Sequence, residues 1–243
     1  MPVNATGGNG KGADEKGDRG EDPADEGDPE LDERFLTEAE IARFLRPASP
    51  GAPAGTVSAA APSRIRPGQT VEPVMAPLDL VHRLLVRSLS VAAGAGRNNP
   101  VLWARPLLWD TGTDQLLLHL AKASMTTGSG FVDLQLPVQC DQTGQAEVVM
   151  TYLTASPERP HGFVVASEDR PRGPEVVVQV WGEALVALGW RALVEMAALI
   201  AATRGRSTSG LPLVASTVVA TPDGLTITAM GPHRFGTGVG STR

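Results

Sequence analysis

The chain is poor in the residues that carry covalent and cationic chemistry. Its 243 residues include one cysteine, Cys140, one tyrosine, Tyr152, and lysine only at positions 11, 16 and 122. A lone cysteine excludes a disulfide framework within the chain. Scarce lysine, with no clustered arginine to replace it, leaves no patch able to neutralise phosphates, so general affinity for nucleic acid is not expected. The four histidines, His82, His119, His161 and His233, have no second His, Cys or carboxylate at a metal-ligand spacing. Neither a metal nor another cofactor is expected. Met1-Pro2-Val3-Asn4 offers no basic or apolar leader, so no secretory signal is read. The most apolar stretch, Ala184 to Ala202, carries Arg191 and Glu195 near its middle. Each is costly at a bilayer centre, so a core helix is expected rather than a membrane span. Lysine poverty beside abundant Arg, Ala, Gly and Val points to a GC-rich bacterial genome and a cytoplasmic protein.

What is present is unevenly placed. The formal net charge is −6, yet residues 1–46 hold 13 acidic and 6 basic side chains, and the remainder is nearly neutral. Residues 1–33 are Gly, Asp and Glu with almost no apolar groups, too little to offset the entropy of ordering. Residues 47–73, rich in Pro, Ala, Gly and Ser, read as a linker. Residues 1–73 are therefore assigned to a disordered acidic arm and linker, 74–235 to one domain, and 236–243 to a flexible tail.

A helix is expected inside the arm, over 37–46. Thr37-Glu38-Ala39-Glu40 fits the capping-box pattern, and Leu36 and Ile41 occupy the two positions of a hydrophobic staple. Glu38 and Glu40 suit the positive end of the helix dipole, Arg43 and Arg46 suit the other, and Pro47 stops the helix. Ile41, Phe44 and Leu45 give it an apolar stripe.

In the domain, Pro77 starts a helix that runs to about Ala92. Strands are predicted near 101–109, 114–123, 131–139, 146–155, 162–167 and 175–181, with Asp141-Gln142-Thr143-Gly144 as a turn. A long helix over about 182–204 follows, and then strands near 211–220 and 224–230 joined by Thr221-Pro222-Asp223-Gly224. The predicted class is α+β: a largely antiparallel sheet packed against one long helix, with an N-terminal helix. This order is similar in outline to secretion-chaperone-like α+β folds, a likeness of topology that fixes no function.

Chemical motifs are thin. Gly7-Gly8-Asn9-Gly10-Lys11-Gly12 lacks the Walker spacing, Gly94-Ala95-Gly96 lacks the third glycine of a dinucleotide fingerprint, and Gly128-Ser129-Gly130 precedes a strand rather than a helix. All three read as turns or linkers. Glu168 to Arg172 reads as a solvated loop, and Trp103, Trp109, Trp181 and Trp190 as packing residues. Cys140 has no local base or orienting group. The expected function is therefore a non-enzymatic interaction protein, an adaptor, chaperone or assembly component. Its docking helix would present Leu36, Ile41, Phe44 and Leu45 to another protein or to its own domain, and an oligomer is compatible with this reading. The alternative is a ligand-binding or catalytic domain in which His119, Asp133 and Tyr152 converge on a pocket between sheet and helix.

Overall fold

The computed structural model describes residues 36–48, 64–94, 105–156, 162–167 and 170–233. The chain divides into residues 1–34 and residues 35–243, and every described residue belongs to the second unit. The expectations for residues 1–33 and 236–243, for the Gly7–Gly12 run, and for Trp103, His161 and Glu168-Asp169 lie outside the described residues.

The elements are α1 (Glu38–Phe44), β1 (Arg46–Pro47), β2 (Val74–Pro77), α2 (Leu78–Ala92), β3 (Leu107–Asp110), β4 (Gln115–Leu118), β5 (Ser124–Gly128), β6 (Phe131–Cys140), β7 (Gly144–Leu153), β8 (Val165–Ala166), α3 (Glu175–Ala202), β9 (Val214–Thr221) and β10 (Gly224–Met230). The fold is α+β, with curled antiparallel sheet packed against the long helix α3.

The strands form a six-stranded group in the order β3-β4-β6-β7-β8 and a four-stranded group in the order β1-β2-β10-β9. In the first, β4 and β5 share one edge of β6 end to end, separated by a 3-10 turn at Leu120–Lys122. The end of β7 then turns onto β9. Ala155 donates to Val218 at 2.9 Å, Gly130 donates to Ala220 at 3.0 Å, and the Ala220 amide donates to Thr154 Oγ1 at 2.9 Å.

Strand alternation builds the core. Val132, Leu134, Leu136 and Val138 of β6 are buried, as are Val148, Met150 and Tyr152 of β7, while their neighbours in sequence face outward. These side chains meet Leu80, Leu84, Leu85 and Leu89 of α2 and Leu185, Leu188, Leu193 and Met196 of α3 in one cluster.

Two glycines answer to specific geometry. Gly224, with φ +145°, closes the β9–β10 hairpin, and a Cβ there would lie 2.1 Å from the Ala76 carbonyl oxygen of β2. Gly189 sits mid-helix, where glycine costs about 1 kcal/mol relative to alanine. The Tyr152 side chain passes beneath it, and a Cβ there would lie 2.1 Å from the phenol oxygen.

Several expectations are corrected. Residues 175–181 are not a strand but the first two turns of α3. The run Glu175-Val176-Val177-Val178 has strong β propensity. Pro174 at the N-cap and a continuous buried face from Val177 to Ala201 override it. The strand expected over 114–123 ends at Leu118, where the 3-10 turn begins, and β5 follows as a separate strand. Residues 64–73, read as linker, lie against the domain. Ile65 bridges Ser207, Pro67 bridges Gly231, and Thr70 bridges Met230. Composition hid this because the bridges run through backbone groups, which proline- and glycine-rich segments still carry, and only Ile65 and Val71 add apolar side chains, packed against Ala201, Leu213 and Ala229.

Candidate functional site

The segment 36–48 has the local structure its sequence dictates. The Thr37 hydroxyl accepts from the Glu40 amide at 3.2 Å, and the Thr37 amide donates to Glu40 Oε2 at 2.9 Å, so both halves of the capping box form. The helix lies on its own domain. Ile41 and Leu45 are buried at 1% and 5% exposure within the main core, with Leu36 and Phe44 packed on its margin. The Arg83 guanidinium of α2 stands 5.4 Å from the Phe44 ring centroid, and Arg206 pairs with Glu38 at 3.8 Å. β1 then pairs with β2, Arg46 opposite Met75 and Pro47 opposite Val74. The four proposed docking residues are thus brought together, two of them already covered by the domain itself.

The three polar residues considered for a pocket do not converge. Val132 pairs with Tyr152 and Asp133 with Thr151. Successive residues point to opposite faces, so Asp133 and Tyr152 lie on opposite sides of the sheet. On the outer side, Arg172 reaches Asp133 at 3.5 Å and donates to Thr151 Oγ1 at 3.2 Å, while Thr151 donates to Asp133. Arg172 also exchanges two backbone bonds of 2.8 Å with Val149. The cluster is internally satisfied and straps the segment before α3 to β7. On the inner side, the Tyr152 hydroxyl donates to the Val186 carbonyl of α3 at 2.9 Å, and burial pushes the phenol well above its ordinary pKa. His119 follows β4, and its amide donates to the Pro137 carbonyl at 3.0 Å, four residues along β6 from Asp133. That separation is about 13 Å at strand rise.

A cleft of about 90 Å³ opens at the start of α3. Val176, Val177, Val180 and Trp181 form its apolar wall, and Asp114, Cys140 and Asp141 come from the two facing hairpin turns. Trp181 is braced by Trp109 with ring centroids 5.8 Å apart. The Cys140 thiol lies 3.1 Å from Thr143 Oγ1, and that hydrogen bond draws the thiol pKa below its usual value. No histidine lines the cleft; the ionisable groups beside the thiol are the carboxylates of Asp114 and Asp141. Small-molecule sites run to roughly 300–1,000 Å³, several times this volume. Among the described residues no group of three His, Cys, Asp or Glu side chains could hold a metal ion.

Apolar side chains on the outside were not anticipated. Phe131, Leu153 and Val165 stand at 39%, 43% and 61% exposure. Phe131 opposes Leu153, and Leu153 opposes Val165, so the three make a ridge across β6, β7 and β8. Phe131 also covers Gly128 of β5, where a Cβ would meet its ring. Strand parity carried the signal, since Phe131 falls in step with Asp133 and Gln135 rather than with Val132 and Leu134. A second outward apolar set, Val176, Val180 and Trp190, lies along α3 at 38%, 45% and 41% exposure.

Comparison with protein-family models, with curated proteins and with solved structures finds no match to this chain. By length and apolar composition α3 would suffice to cross a membrane, but half of its most apolar window is buried in the core.

Proposed function

We propose that the chain is a non-enzymatic interaction protein, an adaptor, chaperone or assembly component that holds other proteins through its outer faces. The observation that carries this reading is the Phe131–Leu153–Val165 ridge, a contiguous exposed apolar row at the end of a sheet face that also carries Asp133, Gln135 and Thr151 and, further along, the exposed Leu108. Scattered exposed apolar residues are ordinary, whereas a row rimmed by polar groups is the usual form of an interaction site. The rim is present in Asp133, Gln135 and Arg172. The competing reading, a ligand-binding or catalytic domain, needs convergent polar groups and an enclosed volume. Its three candidate residues stand apart, and the cleft at α3 is small. On this proposal α1 serves as a built-in cover: it occupies with Ile41 and Leu45 a groove on its own domain.

The test is affinity capture from the source cell with the whole chain and with a Phe131→Ser, Leu153→Ser variant. Both changes lie on the outer face, so the melting temperature should stay within a few degrees of the parent. Loss of specific captured proteins with retained folding supports the proposal. An identical captured set from both proteins refutes the ridge as the interaction surface.

A further inference from the structure

The outward face of α3 has an internal symmetry that the proposed function does not use. At 100° per residue, Val176, Val180, Glu183, Ala184, Ala187, Trp190, Arg191, Val194 and Ala198 fall within about 60° of one line along the helix, centred on Ala187. All but Val194 and Ala198 are exposed, and those two are half-buried. The stripe reads similarly from either end. Positions equidistant from Ala187 are Val180 and Val194, Glu183 and Arg191, Ala184 and Trp190, and Val176 and Ala198.

We infer that this stripe is the contact surface for a second copy of the chain, paired antiparallel about a two-fold axis at Ala187. In an isologous antiparallel contact, positions equidistant from the axis lie at the same height, and two kinds of pair near the centre line are complementary. Valine meets valine toward each end. A carboxylate meets a guanidinium on both sides of the centre, so the two charge contacts form together. Ala184 and Trp190 lie on opposite flanks of the stripe, so the partner's Trp190 falls beside Glu183; its indole Nε1 is anchored to the Val164 carbonyl at 2.8 Å, leaving its ring to pack. Alanine at the crossing point lets the two backbones approach closely. The inference is independent of the ridge on the sheet and stands or falls separately from it.

The area sets the expected strength. From Val176 to Ala198 the stripe is about 33 Å long. With a helix face about 10–12 Å wide, it offers at most roughly 350–400 Å² per copy, less where Val194 and Ala198 are half-buried, and so no more than about half of what a stable interface buries on each side. The apolar wall of the cleft, which shares Val176 and Val180 with the stripe, adds to this where the second copy's C-terminal half would lie. A reversible dimer with a dissociation constant of about 1–100 μM is the expected result.

Sedimentation velocity on the full chain, from about 1 to 300 μM, reads this directly, with the melting temperature of each variant as the folding control. Ala187→Glu sets two carboxylates against each other at the axis and should weaken the dimer by tenfold or more. Glu183→Arg or Arg191→Glu alone should raise the dissociation constant by about two- to thirtyfold, and the double exchange should restore it to within about threefold. Register is tested by crosslinking in a Cys140→Ser background. A cysteine introduced as Ala187→Cys meets its own counterpart and should form an intermolecular disulfide under mild oxidation. Glu183→Cys places the two sulfurs about 12 Å apart along the axis and should not. A chain that remains monomeric at the highest concentration overturns the inference. So does crosslinking at position 183 but not at 187, or failure of the double exchange to rescue. Monomeric protein that instead floats with phosphatidylcholine vesicles would assign the stripe to a lipid surface and overturn it equally.

Discussion

Replacing Gly189 by alanine pits helix propensity against packing at one atom. On an exposed helix the change would stabilise by about 1 kcal/mol. At this position the new methyl would stand 2.1 Å from the Tyr152 hydroxyl, with the ring carbons Cζ and Cε2 at 2.9 and 3.2 Å. Tyr152 cannot yield cheaply, because it is fully buried between β7 and α3 and its hydroxyl holds the Val186 carbonyl at 2.9 Å. Overpacking of a filled core costs about 1–3 kcal/mol, and displacing the hydroxyl forfeits about another 1 kcal/mol. Set against the propensity gain, Gly189→Ala should destabilise by about 1–3 kcal/mol, a drop in melting temperature of roughly 2–12 °C for a domain of this size. Tyr152→Phe alone should cost about 1 kcal/mol through the lost bond. In the double variant the closest contact is gone, so urea unfolding should show a favourable coupling of about 1 kcal/mol or more between the two sites. A Gly189→Ala protein that melts at or above the parent temperature would refute the argument that Tyr152 dictates the glycine.

Three further outcomes are expected. The double change Phe44→Ala, Leu45→Ala should lower the melting temperature or expose residues 36–48 to protease, because Leu45 is buried in the domain's own core and a Leu→Ala change there costs about 2–5 kcal/mol if the segment stays docked; unchanged melting and unchanged cleavage would show that the segment is not held. Leu188→Asp should abolish the cooperative melt seen by circular dichroism, since Leu188 is 4% exposed on the inner face of α3 and an unpaired carboxylate there is strongly unfavourable; a parent-like melt would mean that the helix buries another face. The Thr143 hydroxyl lowers the Cys140 pKa, so Thr143→Ala should raise it and slow iodoacetamide alkylation near pH 8, with the two rates converging at high pH; equal rates at pH 8 would remove Thr143 as the cause.

The class and the long helix were legible in the sequence because their signals are local and redundant. The capping box at Thr37, the turn chemistry of 141–144 and 221–224, and the alternation of β6 and β7 each follow from a few neighbouring residues. The errors fall where tertiary contact overrules local preference. Residues 175–181 carry three adjacent valines and read as strand, yet they complete a 28-residue helix whose inner face is buried throughout. That error also concealed the outward stripe of α3, because Val176 and Val180 lie on one face only at helical spacing. β2 and β5 were missed because strands of four and five residues with mixed composition carry little periodic signal. For the candidate site, His119, Asp133 and Tyr152 were singled out by residue type, whereas sheet parity alone separates Asp133 from Tyr152.

The placement of sheet edges bears on how the proposed interactions would be made. Chains that bind by strand addition need an open edge with unpaired amides and carbonyls. Here the outer edge of β7 is occupied in part by β8 and by the paired backbone bonds of Arg172 to Val149. The outer edge of β9 receives Ala155 and donates from Val218 to Gly162 at 3.4 Å. β2 is covered along half its length by β1, which the segment carrying α1 delivers. Among the described residues the outer edge of β3 pairs with no strand, but it is only four residues long; the larger open surface is side-chain surface, the ridge of Phe131, Leu153 and Val165 on the sheet and the stripe of α3. Recognition on the proposed reading therefore rests on apolar side chains with polar rims. It should depend weakly on salt where the ridge is concerned, since Coulomb screening leaves apolar contact largely untouched. The dimer through α3 should weaken measurably as salt rises, because its Glu183 and Arg191 contacts lie at the solvent-exposed margin and within reach of screening.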